Sequence, residues 1–188
     1  MNYLIIDNYD SFTYNIVQLV RHISGQEPDV KRNDCFVLSD LEVYDKIILS
    51  PGPGIPSDAG LLNEVIKVYA PHKSILGICL GHQAIGEVYG AQLVNMPEVR
   101  HGIASTLQVC VQDVLFKDLP TTIEGGHYHS WMLSKELFPD TLEVMMEDKQ
   151  GNIMAVRHKQ YDLKGLQFHP ESILTPLGDK MIENWINS

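Results

Sequence analysis

The sequence predicts an α/β fold: an open, mostly parallel sheet with helices on both faces and an antiparallel strand extension. Two observations carry this. In the first half, short apolar runs alternate with helical patterns, the signature of a parallel sheet covered on both sides. In the second half, strand patterns follow one another with little helix between them. No repeat, low-complexity tract or linker interrupts the chain, so residues 1–188 read as a single domain. Such a length buries a sizeable core without staples.

The elements follow in order. Residues 3–7 (YLIID) form an apolar run ending in an acid, which suits a buried parallel strand. A helix follows, with Ser11 as its expected cap, apolar positions at Phe12, Ile16, Leu19, Val20 and Ile23, and Gly25 as its stop. Val30 belongs to a second strand and residues 46–50 (KIILS) to a third. Pro51-Gly52-Pro53-Gly54 is a rigid turn, unable to continue a helix or a strand. Residues 59–69 read as helix, 74–79 (SILGIC) as strand, and 82–89 as helix with Gly90 ending it. Beyond that, strands are expected at 106–111, 142–147, 152–157 and 163–168, and a last helix at 177–186.

Composition narrows the function classes. The formal charge of −10 argues against nucleic acid, which requires a cationic footprint, and against an anionic membrane surface. No apolar run approaches the about 20 residues of a membrane span. The N-terminal segment MNYLIIDNYD has no basic stretch and reads as a strand rather than a signal peptide. Three cysteines, Cys35, Cys79 and Cys110, form neither a metal-spaced pair nor a disulfide framework. A cytoplasmic location is therefore expected.

The most informative segment is Gly77-Ile78-Cys79-Leu80-Gly81-His82-Gln83. It sets a cysteine between glycines, after an apolar strand and before a helix. A sharp strand-to-helix turn holds its central side chain outward, and glycines two residues to either side relieve the crowding. Unpaired N–H groups and the dipole at the helix start favour negative charge on sulfur. The Leu80 N–H would face an oxyanion forming beside Cys79. Cys35 and Cys110 lack this setting and read as structural.

A cysteine nucleophile needs a base held by a third group. Among eight histidines, the best placed is His169 in Gln167-Phe168-His169-Pro170-Glu171-Ser172. It follows a predicted strand, where an open parallel sheet keeps its ligand crevice. Glu171 is positioned to orient its ring. His82 belongs to the helix after the elbow. His127 and His129 alternate about Tyr128 as a metal pair on one strand face would, with no third ligand nearby, so no metal site is expected. His22, His72, His101 and His158 read as surface or satisfied core residues.

Taken together, Gly77-Ile78-Cys79-Leu80-Gly81-His82-Gln83, His169-Pro170-Glu171 and Pro51-Gly52-Pro53-Gly54 resemble the class I, triad-type glutamine amidotransferases over nearly the whole chain. Ile6-Asp7-Asn8-Tyr9-Asp10-Ser11-Phe12-Thr13-Tyr14-Asn15, Tyr128-His129-Ser130 and the run from His169 to Thr175 resemble the chorismate-processing members, anthranilate synthase component II and the glutaminase component of aminodeoxychorismate synthase.

The resemblance implies a mechanism. Cys79 attacks the side-chain amide of L-glutamine, His169 acts as base and then acid, and Glu171 orients His169. Backbone N–H groups of Gly52 and Leu80 form the oxyanion hole. Gly52, Pro53, Gly54, Gln83 and the main chain at Ser130 and Trp131 bind the substrate, with glycine at 52 admitting it closely. Ammonia passes to a chorismate-using synthase partner. No cofactor is expected on this chain, and Mg2+ is expected on the partner. Residues 8–14 are expected at the interface. Two departures stand out: Ile103, where the family often has lysine, and Trp131, where it often has leucine. The resemblance leans towards anthranilate synthase over the aminodeoxychorismate enzyme, and a subunit serving both is an alternative.

Overall fold

A computed structural model describes all residues, 1–188. Nine strands form one sheet: Tyr3–Asp7 (β1), Asp29–Arg32 (β2), Lys46–Leu49 (β3), Ser74–Ile78 (β4), Leu93–Val109 (β5), Thr122–Leu133 (β6), Leu142–Asp148 (β7), Ile153–His158 (β8) and Leu163–Leu166 (β9). Their order is β2-β1-β3-β4-β9-β8-β7-β5-β6. The first five strands in that order pair in parallel and the remaining contacts are antiparallel. The expected parallel sheet with an antiparallel wing is what forms.

Strand periodicity sorts the core into two layers. On β1, Tyr3 and Ile5 face one layer while Leu4 and Ile6 face the other. The first layer takes Ile16, Val17 and Val20 of helix α1 (Thr13–Ser24) and Met181, Ile182 and Trp185 of helix α4 (Gly178–Ile186). The second takes Leu62, Val65 and Ile66 of helix α2 (Leu62–Tyr69) and Ala84 and Ile85 of helix α3 (Leu80–Val88). Both faces of the central parallel strands are thus covered, which is why β1, β3 and β4 are mostly apolar, whereas the edge strand β2 (DVKR) is not.

The local signals held with small shifts. Gly25 ends α1 in the left-handed conformation at φ +70°. Ser11 does not cap α1, whose flanking residue is Phe12 with no side-chain cap. The Asp7 carboxylate instead accepts from the Tyr9 N–H at 2.9 Å and the Thr13 hydroxyl at 2.8 Å, and Asp10 accepts from the Phe12 N–H. The larger surprise is β5, which begins at Leu93 rather than near residue 106. Its first half contains Pro97 and Gly102, which fall at two irregularities in the pairing with β6, between Asn95 and Arg100 and between His101 and Ile103. β6, not expected as a full strand, is interrupted in sequence by Gly125-Gly126. A Cβ at Gly125 would lie 2.5 Å from Leu107 and 3.0 Å from Phe168. Cys35 and Cys110 are both exposed rather than structural. No helix is long and apolar enough to cross a membrane.

Candidate active site

The C-terminal ends of β1, β3, β4 and β9 lie side by side, because those strands are neighbours in the sheet. They deliver Asn8, Ser50 to Gly54, Cys79 and His169 to one edge, the crevice that an open parallel sheet offers. Cys79 sits between β4 and α3 at φ +52°, ψ −98°. A non-glycine residue there is strained by on the order of 1–3 kcal/mol. The two flanking glycines make the turn feasible. A Cβ at Gly77 would lie 2.5 Å from the Gly81 backbone, and one at Gly81 would lie 2.5 Å from the Leu49 carbonyl oxygen. The Cys79 N–H still donates to the Leu166 carbonyl at 2.8 Å, so the elbow is anchored to β9. Helix α3 starts at Leu80, and the N–H groups of its first turn have no intrahelical acceptor.

Across from the sulfur, His169 Nδ1 lies 2.7 Å from Glu171 Oε1, with both side chains almost fully buried. A carboxylate on Nδ1 holds a proton on that nitrogen and leaves Nε2 as the free one. Nε2 is buried with no hydrogen-bond partner. Burial works against the charged ring, but the charge of nearby Cys79 and the hydrogen bond and charge of Glu171 outweigh it, and the His169 pKa is pushed up to about 10. Phe12 and Tyr128 pack against the same ring, at centroid distances of 5.3 and 4.9 Å. The His169 carbonyl accepts from Thr175 Oγ1 at 2.6 Å, and that hydroxyl in turn accepts from the Gly126 N–H. His169 is thereby stapled to β6.

A cavity of roughly 200 Å³ opens over Cys79. It is smaller than the about 300–1,000 Å³ of pockets for drug-sized ligands, a scale suited to one amino acid. Gly52, Pro53, Gly54, Gln83, Ser130 and Trp131 all line it, together with Cys79. The glycine at 52 answers first to packing: a Cβ there would lie 2.6 Å from Asn8 Cβ and 2.7 Å from Leu80 Cδ2. Asn8 builds the support for that turn, donating to the Ser50 carbonyl at 2.8 Å and accepting from Asn33 at 3.0 Å.

Several wall residues had been given no role in the site by the sequence. Val99, His101, Tyr128 and His129 line the cavity, so His101 is no incidental surface residue. Gln167, quoted in the His169 motif without a role, donates to Cys79 Sγ at 3.7 Å and accepts from Gln83 Nε2 at 3.2 Å. Its signal was available: it stands two residues before His169, on the same face of an extended segment. Gln83 Nε2 also donates to the Trp131 carbonyl at 2.9 Å. His127 and His129 hydrogen-bond to each other at 3.2 Å. His82 is fully buried over Gly165, and burial lowers its pKa to about 3.

Residues 4–188 match the family model for class-I glutamine amidotransferases. The chain belongs to that family. It is 42% identical over 186–187 residues to relatives such as the anthranilate synthase component 2 of Cyanophora paradoxa, covering 98% of this chain and 97% of that protein. It is 40% identical to the aminodeoxychorismate/anthranilate synthase component 2 of Bacillus subtilis, over 98% of this chain and 95% of the relative. It is 39% identical to the aminodeoxychorismate synthase component 2 of Escherichia coli, over 98% of each chain. Among solved structures, a Thermoplasma acidophilum protein superposes with a TM-score of 0.87 at 24% identity, covering 100% of this chain and 92% of that one. A glutamine amidotransferase from Thermotoga maritima gives 0.75 at 17% identity, over 100% and 81%. These two likenesses concern the fold.

In this glutamine amidotransferase, the register of β5 against β6 explains why the far wall of the cavity has backbone to offer. Asn95 pairs with Trp131 and Arg100 with His129, so Met96 to Val99 bulge out opposite Ser130 alone. A bulge of that size removes Ser130 from the regular ladder. Trp131, the departure from the usual leucine, holds its carbonyl in hydrogen bonds to Gln83 and His129, a role independent of side-chain identity. Ile103 lies on the exposed stretch of β5 opposite His127, away from the cavity lining.

Proposed function

We propose that this chain hydrolyses L-glutamine to glutamate and ammonia through a thioester on Cys79, and passes the ammonia to a chorismate-using synthase as component II of anthranilate synthase. The observation that carries the reading is a buried, unpartnered His169 Nε2, set by Glu171, beside a strained Cys79 at the floor of an amino-acid-sized cavity. Cys79 Sγ attacks the amide carbon as a thiolate, its proton already held on His169, whose pKa is pushed up to about 10. The oxyanion meets the N–H groups of Gly52 and Leu80. His169 then protonates the leaving ammonia, and water, deprotonated by the same ring, cleaves the thioester to release glutamate. Gly54, Pro53, Gln83 and the main chain at Ser130 and Trp131 hold the amino-acid portion.

Exposed Tyr9, Tyr14 and Ile173 flank the catalytic elements and supply an apolar rim for the partner. The Mg2+ used in chorismate chemistry belongs to that partner. Free, exposed Cys35 and Cys110 suit a reducing cytoplasm. Relatives named for anthranilate and for aminodeoxychorismate synthases match at 39–42% identity, which keeps the folate-directed or dual role as the second reading.

The test is ammonia release and product formation by the wild type and Cys79→Ala with candidate synthases and chorismate. The reading expects no glutamine-dependent product from Cys79→Ala, with product restored by ammonium. Anthranilate or aminodeoxychorismate as product then distinguishes the two roles. Unchanged release by the variant would overturn the nucleophile.

A further inference from the structure

From the cavity wall at His129, a buried hydrogen-bond chain with a defined direction runs outward. The Trp131 carbonyl can only accept, so His129 Nδ1, 2.9 Å away, carries a proton. In a neutral ring, Nε2 of His129 is then an acceptor, and His127 Nδ1 donates to it at 3.2 Å. His127 Nε2 is in turn an acceptor, and Ser105 Oγ donates to it at 2.7 Å. Burial keeps both rings neutral, lowering His127 to about 3 and His129 to about 4. The charged groups nearby are the Arg100–Asp148 pair, joined at 2.8 Å, and His169. Protonating either histidine would turn an acceptor nitrogen into a second donor and break the chain.

We infer that Ser105, His127 and His129 are positioning residues that fix the Trp131 carbonyl, and through it the Ser130–Trp131 main chain, for the amino-acid portion of glutamine. The inference rests on the proposed glutamine reading of the cavity. The carbonyl takes two donors, Gln83 Nε2 from α3 and His129 Nδ1 from β6, and so ties the nucleophile's helix to the wall that lost its ladder at the β5 bulge. Ser105 anchors the far end, where Lys149 and Gln150 line an outer depression.

The test compares two alkylating agents on the full chain. A glutamine-shaped diazoketone needs the amino-acid subsite, whereas iodoacetamide needs only a thiol, so both labels are read on the Cys79 peptide, apart from exposed Cys35 and Cys110. His129→Leu is expected to slow the diazoketone about tenfold, the worth of one hydrogen bond to a buried carbonyl, while iodoacetamide stays within about twofold. His129→Asn places an amide N–H near the Nδ1 position and is expected to recover most of the rate. Should His129→Leu fail to fold, Ser105→Ala, at the outer end of the chain, is expected to give the same selective slowing to a smaller degree. Equal slowing with both reagents, or none with either, would overturn the inference. A wild type that shows no preference for the diazoketone would instead overturn the glutamine reading beneath it.

Discussion

At the scale of single residues, the chemistry depends on which nitrogen of His169 is free. Glu171 holds Nδ1, so Glu171→Gln keeps the shape but weakens the hold on the charged ring. The expected result is a glutaminase kcat/KM lower by about 10²–10⁴, together with a lower urea midpoint near neutral pH, because the Glu171 charge helps hold His169 protonated in the folded state. The raised His169 pKa also predicts a pH dependence of stability. An unfolded histidine titrates near about 6.5, whereas His169 titrates at about 10. Its protonation therefore contributes stability fully below the unfolded value, and that contribution is lost as pH rises through about 10. Urea midpoints measured from pH 6 to 10 should fall for the wild type and fall less for His169→Gln; parallel curves would refute the coupling.

At the scale of elements, the site is a set of strand ends held by close backbone approach. Gly81→Ala would drive a Cβ onto the Leu49 carbonyl oxygen, which is backbone and cannot swing aside. We expect a loss of about 1–3 kcal/mol from overpacking, read as a lower urea midpoint at constant slope, together with slower labelling of Cys79 by the diazoketone. Unchanged values would mean that the elbow tolerates a wider turn. This arrangement of strand ends was largely legible in the sequence, because β1, β3 and β4 are mostly apolar runs with sharp ends and the elbow's glycines carry a steric meaning. β5 and β6 were not, because their identity is set by pairing with each other. Pro97 and Gly102 lower strand propensity but sit where the ladder is already broken. Gly125 and Gly126 look like loop residues, yet they are small to admit Phe168, Leu107 and Leu174. The place of Val99, His101 and His129 on the cavity wall was hidden for the same reason: only the cross-strand register brings them there.

For the whole molecule, one continuous sheet joins the parallel core to the antiparallel wing, and we expect a single cooperative unit. The two tryptophans test this from opposite ends, Trp131 in the wing and Trp185 in the core. Trp131→Phe and Trp185→Phe each leave one reporter, and the two fluorescence transitions in urea should coincide once corrected for any shift in stability; separate midpoints would divide the chain into two folding units. The central claim concerns a nearly buried sulfur, while Cys35 and Cys110 lie exposed. Exposure alone would therefore place covalent chemistry on either of the other two. The most direct measurement is acid quenching of the protein during turnover with glutamine, followed by peptide mass spectrometry to locate the glutamyl thioester. We predict it on Cys79 alone; a glutamyl group on Cys35 or Cys110, or none on Cys79 while glutamine is being consumed, would contradict the account.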